Sequence, residues 1–156
     1  MTRFCATHKQ IIVAKEWKYD IGHPNSLPIQ PLPFIGRDKE IAACLALLLR
    51  SDVRLLTLTG AGGAGKTRLA LQVAADLLDD FAQGVFFVHL APTRDPDLVA
   101  SAIAQALCVR ETSRRPALAD LSNYLRQKQM LLVLDNFEQV MDAGPLVGQI
   151  LGAAPG

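Results

Sequence analysis

Cysteine is scarce in this sequence: Cys5, Cys44 and Cys108 are an odd set with no close spacing. Such a set suggests neither a disulfide framework nor a zinc site, and reduced thiols fit a cytoplasmic location. Cys44 and Cys108 lie among aliphatic residues and read as buried small hydrophobes. An excess of one charge is missing too. Sixteen Lys and Arg stand against 15 Asp and Glu, a formal net charge of +1. No global field draws such a chain to nucleic acid or to an acidic membrane surface. The opening MTRFCATHKQ lacks a signal-peptide core, and the longest apolar run, Ile41 to Leu49, is too short to cross a bilayer. His8 and His23 have no partner at ligand spacing and read as solvent-exposed. The expectation is a soluble, cytoplasmic chain with neither membrane nor direct nucleic-acid contacts.

What the chain does have is apolar mass and one glycine-rich stretch. Half of its 156 residues are hydrophobic, which suits a single domain with a sizeable core. Everything else is arranged around Val53 to Leu71, VRLLTLTGAGGAGKTRLAL. The apolar run Val53 to Leu58 reads as a buried strand, the residues to Gly65 as a tight loop, and Lys66 onward as a helix. Gly60 and Gly65-Lys66-Thr67 satisfy the P-loop spacing in the strand–loop–helix context that such a match requires. The chemistry follows from the residue types. First-turn N–H groups of a helix have no intrahelical partners, and glycines let the loop backbone of Gly60, Ala61, Gly62, Gly63, Ala64 and Gly65 curl around the same anion. Lys66 adds a full positive charge toward the β and γ phosphates of a nucleoside triphosphate, and the Thr67 hydroxyl can ligate Mg²⁺. Arg68 follows in the same first turn. The bland alternative is a Gly/Ala-rich turn that binds nothing.

Along the chain, Ile11 to Ala14 reads as a short strand, and Gly22 to Pro33, with four prolines, as an extended linker. A helix is expected from Asp38 to about Arg50, apolar almost without a break and therefore sandwiched. The helix from Lys66 to about Asp79 carries one stripe of Leu69, Val73 and Leu77 and another of Ala70, Ala74 and Leu78. A strand follows at Val85 to Leu90, then a helix opened by Asp95-Pro96 and running to about Leu107. After a polar loop, in which Arg114-Arg115 reads as solvated surface, Pro116 starts a helix ending near Lys128. Met130 to Leu134 is a strand, and a last helix, Gln139 to Leu151, breaks near Gly144-Pro145. Apolar strands alternating with helices indicate an α/β fold with a parallel sheet covered on both faces.

LLVLD, at Leu131 to Asp135, supplies the second half of a site. A strand buried on both faces delivers its terminal carboxylate to the carboxyl edge of the sheet, where open α/β folds bind ligands. Asp135 is the expected magnesium-shell acid, in partnership with Thr67. Asn136 can orient a water molecule but cannot act as a base, and Glu138 is the nearest carboxylate that can. An equally open reading makes Glu138 a solvated or helix-capping residue. Nucleotide binding is the firm expectation, and turnover is left open.

FIGRDKEI, LLTLTGAGGAGKTRLA, VHLAPTRDPDLVASAIAQAL and LLVLDNFEQV, in that order, resemble the nucleotide-binding domain of STAND-class NTPases. The nearest likeness is the NB-ARC-like, AAA-like ATPase module of large bacterial transcriptional regulators, and it runs from about Leu27 to the C-terminus, with residues 1–26 as an N-terminal extension. The resemblance implies an incomplete P-loop NTPase three-layer sandwich and an ATP/ADP switch in signal transduction, with further domains or self-association as partners. It places Phe34, Ile35, Gly36 and Arg37 beside adenine and ribose, and makes Asp135-Asn136-Phe137-Glu138 the second nucleotide motif. It also implies that a strand bearing a sensor arginine, normally lying between the strands of Leu55 and Val133, comes after the end of this sequence. The expectation is therefore an N-terminal fragment whose central slot is a gap or has collapsed, with weak nucleotide binding and little ATPase activity. Two other classes remain: a P-loop kinase or phosphotransferase, and a non-catalytic interaction module.

Overall fold

The computed structural model describes residues 9–15 as backbone and residues 24–30, 32–112 and 115–154 in full. His8, His23 and Arg114 lie outside the described residues. The strands are β1 (Lys9–Lys15), β2 (Leu55–Gly60), β3 (Val85–His89) and β4 (Leu131–Asp135). The helices are α1 (Asp38–Leu48), α2 (Lys66–Asp76), α3 (Val99–Ala106), α4 (Ala117–Leu125) and α5 (Gly144–Ala153), with short 3₁₀ turns between them.

The four strands form one sheet in the order β2-β1-β4-β3. β3 and β4 are parallel, in a register that runs from Val85 opposite Leu131 to His89 opposite Asp135. β1 is antiparallel to both of its neighbours, with Val13 opposite Leu56 on one side and Val133 on the other. Two expectations are corrected here. The sheet is mixed rather than parallel, and the slot between the strands of Leu55 and Val133 is neither a gap nor collapsed. A strand from the beginning of the chain fills it, because an apolar quartet, Ile11 to Ala14, can satisfy the facing N–H and C=O groups of both neighbours at once.

Helices cover both faces of the sheet. Alternate residues of β4 supply the two cores: Leu132 and Leu134 join α3, α4 and α5, whereas Leu131 and Val133 join α1 and α2. All five residues of β4 are buried, as a two-sided strand requires. β2 does not match its expected burial. It lies at an edge, alternates between exposed and half-buried residues, and leaves Leu55 42% exposed. α1 is likewise not sandwiched: Cys44 and Leu48 are buried, Ile41 and Leu45 are half-buried against the same core, and Ala42, Ala43, Ala46 and Leu47 are exposed. α2 buries Leu69, Ala70, Val73 and Ala74, so the small alanines let it lie close to the sheet. Phe81 and Leu77 below it are fully enclosed, each burial contributing roughly 1.5–3 kcal/mol.

Asp95 caps the turn before α3 as its sequence suggests, accepting a hydrogen bond from the Asp97 amide at 3.0 Å, with Pro96 in the first turn. Gly144-Pro145 does not break a helix; it starts α5, where a proline without an N–H leaves no bond unmade. Cys108 is exposed, not buried, because it closes the end of α3 in the left-handed region (φ 54°).

The proline-rich linker is extended and pinned to β3. The Pro24 carbonyl accepts from the Val85 amide at 3.1 Å, the Ser26 amide donates to the Val85 carbonyl at 3.2 Å, and the Ser26 hydroxyl accepts from the Phe87 amide at 2.9 Å. Gly84 permits this close approach. Its φ is +97°, and a Cβ there would lie 1.9 Å from the Pro24 carbonyl oxygen. Gly84→Ala is expected to cost about 1–3 kcal/mol in strain and lost pairing. Urea denaturation checks this against Gly148→Ala, an open helical position where the midpoint stays level or rises.

Candidate nucleotide site

β2 ends at Gly60, and the loop that follows returns the chain into α2. Gly63 (φ 76°) and Gly65 (φ 78°) both adopt the left-handed region, which a side chain would disfavour at this tight return. Gly65 is the N-cap of α2, so no side chain caps the helix, and its first turn carries no acid. The positive end of α2 is therefore left to whatever anion approaches it. Ala64 donates its amide to the Ala61 carbonyl at 3.2 Å and closes the loop, while Gly62 and Gly63 stay exposed at its rim. Lys66 is buried, and its Nζ donates to the carbonyls of Gly60 and Ala61, both at 2.8 Å. A buried ammonium needs such partners, and here they wrap the loop around the charge.

Asp135, at the carboxyl end of β4, is also buried. The Thr67 hydroxyl donates to its Oδ1 at 3.0 Å, although the two residues are 68 positions apart. The structure thus joins the two halves that the sequence separates, with Lys66 and Thr67 consecutive on one side and Asp135 on the other. Among the described residues no three His, Cys, Asp or Glu side chains gather in a way that could hold a metal ion. The Thr67 hydroxyl and the Asp135 carboxylate are two oxygen groups that could enter the shell of a Mg²⁺ ion otherwise completed by phosphates and water.

Asn136 turns the chain out of β4 in the left-handed region (φ 61°), and its Nδ2 donates to Glu138 Oε1 at 3.3 Å. Both side chains are half-buried and are held to each other beside Asp135, with Phe137 buried as the anchor of the turn. No local spacing singles out His89. Its Nδ1 is 3.8 Å from Asp135 Oδ2 because the parallel register sets these two strand ends side by side. The available signal was its place as the last polar residue of an apolar strand, which brings it to the same carboxyl edge.

The linker residues are placed differently from one another. Phe34 is half-buried under Arg68, whose guanidinium carbon stands 5.6 Å from the ring centroid. Arg68 donates to the carbonyls of Leu32 (3.0 Å) and Pro33 (3.3 Å), so it ties the linker to the first turn of α2. Ile35 is 87% exposed. Gly36 (φ 80°) and Arg37 (φ 63°) make a left-handed turn into α1, and Arg37 is exposed. The structure thus brings Phe34 to the loop through Arg68 and leaves the Ile35 and Arg37 side chains in solvent.

A glycine loop leading into an uncapped helix, a buried lysine and a threonine bonded to a strand-end aspartate now stand together. The family model of the NB-ARC domain matches residues 37–144. The chain belongs to the NB-ARC domain family. It is 41% identical over 108 residues to "Putative HTH-type transcriptional regulator Rv0890c" of Mycobacterium tuberculosis, covering 69% of this chain and 12% of that protein. With "Uncharacterized protein Rv0894" of the same organism it shares 36% over 123 residues, 78% of this chain and 31% of that one. The "Regulatory protein AfsR" of Streptomyces griseus is 28% identical over 142 residues, 84% of this chain and 15% of that protein. The chain therefore spans only a minor part of the length of these relatives. No solved structure matches it. NB-ARC domains are nucleotide-binding modules, and in relatives of this NB-ARC chain the module sits in regulator-like proteins. Among its described residues no helix is long and apolar enough to cross a membrane.

The contact between Thr67 and Asp135 yields a direct test. Thr67→Val leaves the buried Asp135 Oδ1 without its donor, an expected loss of about 1–3 kcal/mol in chemical denaturation. Thr67→Ser, which keeps the hydroxyl, restores most of that loss.

Proposed function

We propose that this NB-ARC chain is the ATP/ADP-binding module of a STAND-type signalling ATPase, a nucleotide-dependent switch in transcriptional regulation. The fold we assign is an incomplete three-layer P-loop NTPase sandwich, with residues 27–156 as the partial domain and residues 1–26 as its extension. The observation that carries this reading is the 3.0 Å bond from Thr67 to Asp135, with the buried Lys66 ammonium one residue away.

In this reading the amides of Gly60, Ala61, Gly62, Gly63, Ala64 and Gly65 and of the first turn of α2 surround the phosphates. Lys66 exchanges its two carbonyl partners for phosphate oxygens, since a bond between two charged groups is roughly twice as strong as one to a neutral acceptor. Thr67 and Asp135 would hold Mg²⁺, which neutralises charge on the phosphate oxygens when bound. Arg68 holds the linker so that Phe34, Ile35, Gly36 and Arg37 flank the base and ribose. Asn136 orients a water molecule, and Glu138, hydrogen-bonded to it, is the group available to accept a proton.

Calorimetric titration of the whole chain with ADP and ATP, with and without Mg²⁺, tests the proposal. Binding is expected for the unaltered chain, and Lys66→Ala should weaken it at least tenfold, about 1.4 kcal/mol or more. Asp135→Asn should remove the Mg²⁺ dependence while leaving weaker metal-free binding. Equal heats from the unaltered chain and Lys66→Ala would sink the nucleotide reading and leave the interaction-module alternative.

A further inference from the structure

β1 stands apart from the rest of the sheet. It runs against β2 and β4, which are themselves parallel, and among the described residues it is the only strand whose two neighbours carry opposite halves of the nucleotide site. β2 leads into the loop with Lys66 and Thr67, and β4 ends at Asp135. β2 has no other strand partner among the described residues, so every sheet bond joining the two halves passes through β1. The pairing is long. Six residue pairs, Lys9–Gly60 to Ala14–Leu55, face β2, and four, Ile12–Leu134 to Lys15–Leu131, face β4. One intervening strand sets β2 and β4 about 9.6 Å apart, twice the usual spacing, whereas direct pairing would halve that distance. The Thr67–Asp135 bond is closed over the wider spacing.

The attachment of β1 allows exchange. The next residue that the structure describes after Lys15 is Pro24, whose carbonyl accepts from the Val85 amide of β3. Lys15 and Pro24 are nine residue steps apart, a reach of about 30 Å at full extension. The lateral distance from β1 across β4 and β3 to the linker is about three strand spacings, or roughly 14 Å. The reach of the intervening chain is about twice the span, so its length suffices for β1 to leave the slot while Pro24–Ser26 stays on β3. Its bonds to both neighbours are main-chain ladders, the form of pairing by which an added strand binds a sheet.

We propose that the slot between β2 and β4 is a strand-acceptor site, that Lys9–Lys15 occupies it as an exchangeable strand, and that its presence sets the spacing of the Lys66–Thr67 loop against Asp135. The occupant is the chain's own β1, an extended segment with an Ile-Ile-Val-Ala centre. Strand acceptance stands on the pairing alone, and its effect on nucleotide binding rests on the function proposed above.

The test uses the full chain carrying Val13→Pro, because proline at the middle of a two-sided strand removes a ladder donor and does not fit between neighbours. The probe is a fluorescently labelled peptide of residues 7–17. The Val13→Pro chain should capture it one to one, seen as a rise in anisotropy, while a peptide carrying the same proline is not captured. The unaltered chain should capture at least tenfold less, since its tethered strand competes at about millimolar effective concentration. ADP affinity of Val13→Pro should fall at least tenfold and recover when the peptide is added. If Val13→Pro does not fold, the peptide should restore its thermal transition; failure to do so overturns the proposal. A folded Val13→Pro chain that ignores the peptide overturns it as well. Capture without recovery of ADP affinity refutes the positioning role alone. Should the unaltered chain bind no ADP at all, the nucleotide reading fails while peptide capture still decides the slot.

Discussion

The two hydrogen-bond ladders of β1 are the constraint on which the rest of the arrangement depends. A glycine loop and an acid can share one ligand only at a set distance, and here they belong to strands, β2 and β4, that are not paired with each other. β2 is an edge strand with half its residues exposed, so side-chain burial alone holds it weakly. Its place is set by pairing with β1 and by α1 and α2 above it, whose buried faces share one core with Leu131 and Val133 of β4. Sheet bonds from below and helix packing from above converge on the short bond between Thr67 and Asp135. The same N-terminal stretch is fastened twice, in the middle of the sheet by β1 and at its outer edge by Pro24–Ser26 against β3.

Charge is arranged with comparable economy. Lys66 and Asp135 are both buried, and Lys66 directly precedes Asp135's partner Thr67, yet Lys66 bonds two backbone carbonyls and Asp135 bonds a hydroxyl. Neither is neutralised by the other, so the ammonium stays available to an anion and the carboxylate to a cation. An ammonium and a carboxylate locked together would have to be separated before either could bind a ligand, at a cost of several kcal/mol in a buried setting. On the nucleotide reading this separation of charges is what makes the site receptive.

Much of this was legible from residue order. The glycine spacing, the lysine and threonine after it, the apolar run ending in Asp135 and the cap at Asp95-Pro96 are local patterns. Each acts within a few residues, through backbone sterics and helix-end geometry, so reading them needs no knowledge of the rest of the chain. The short apolar strand near the beginning was legible too, but its destination was not. Pairing of Ile11 to Ala14 with two strands more than 40 and 110 positions away is a non-local event, decided by which backbone edges are left unsatisfied once the helices have packed. The burial of α1 differs from its sequence pattern for a related reason. Its apolar residues run unbroken, and only one face, Ile41, Cys44, Leu45 and Leu48, packs against the core.

What the sequence by itself determined is a set of chemical groups: a glycine loop at a helix start, a lysine and a threonine directly after it, and an apolar strand that ends in an aspartate. These depend on residue types at fixed short spacing, which the chain retains whatever its wider fold. The tertiary structure alone decided how the halves meet. It placed His89 beside Asp135, turned Arg68 toward the linker, and seated an antiparallel strand between two parallel ones. Those outcomes follow from hydrogen-bond satisfaction and packing across long sequence separations, where many partners compete and only the assembled molecule selects among them.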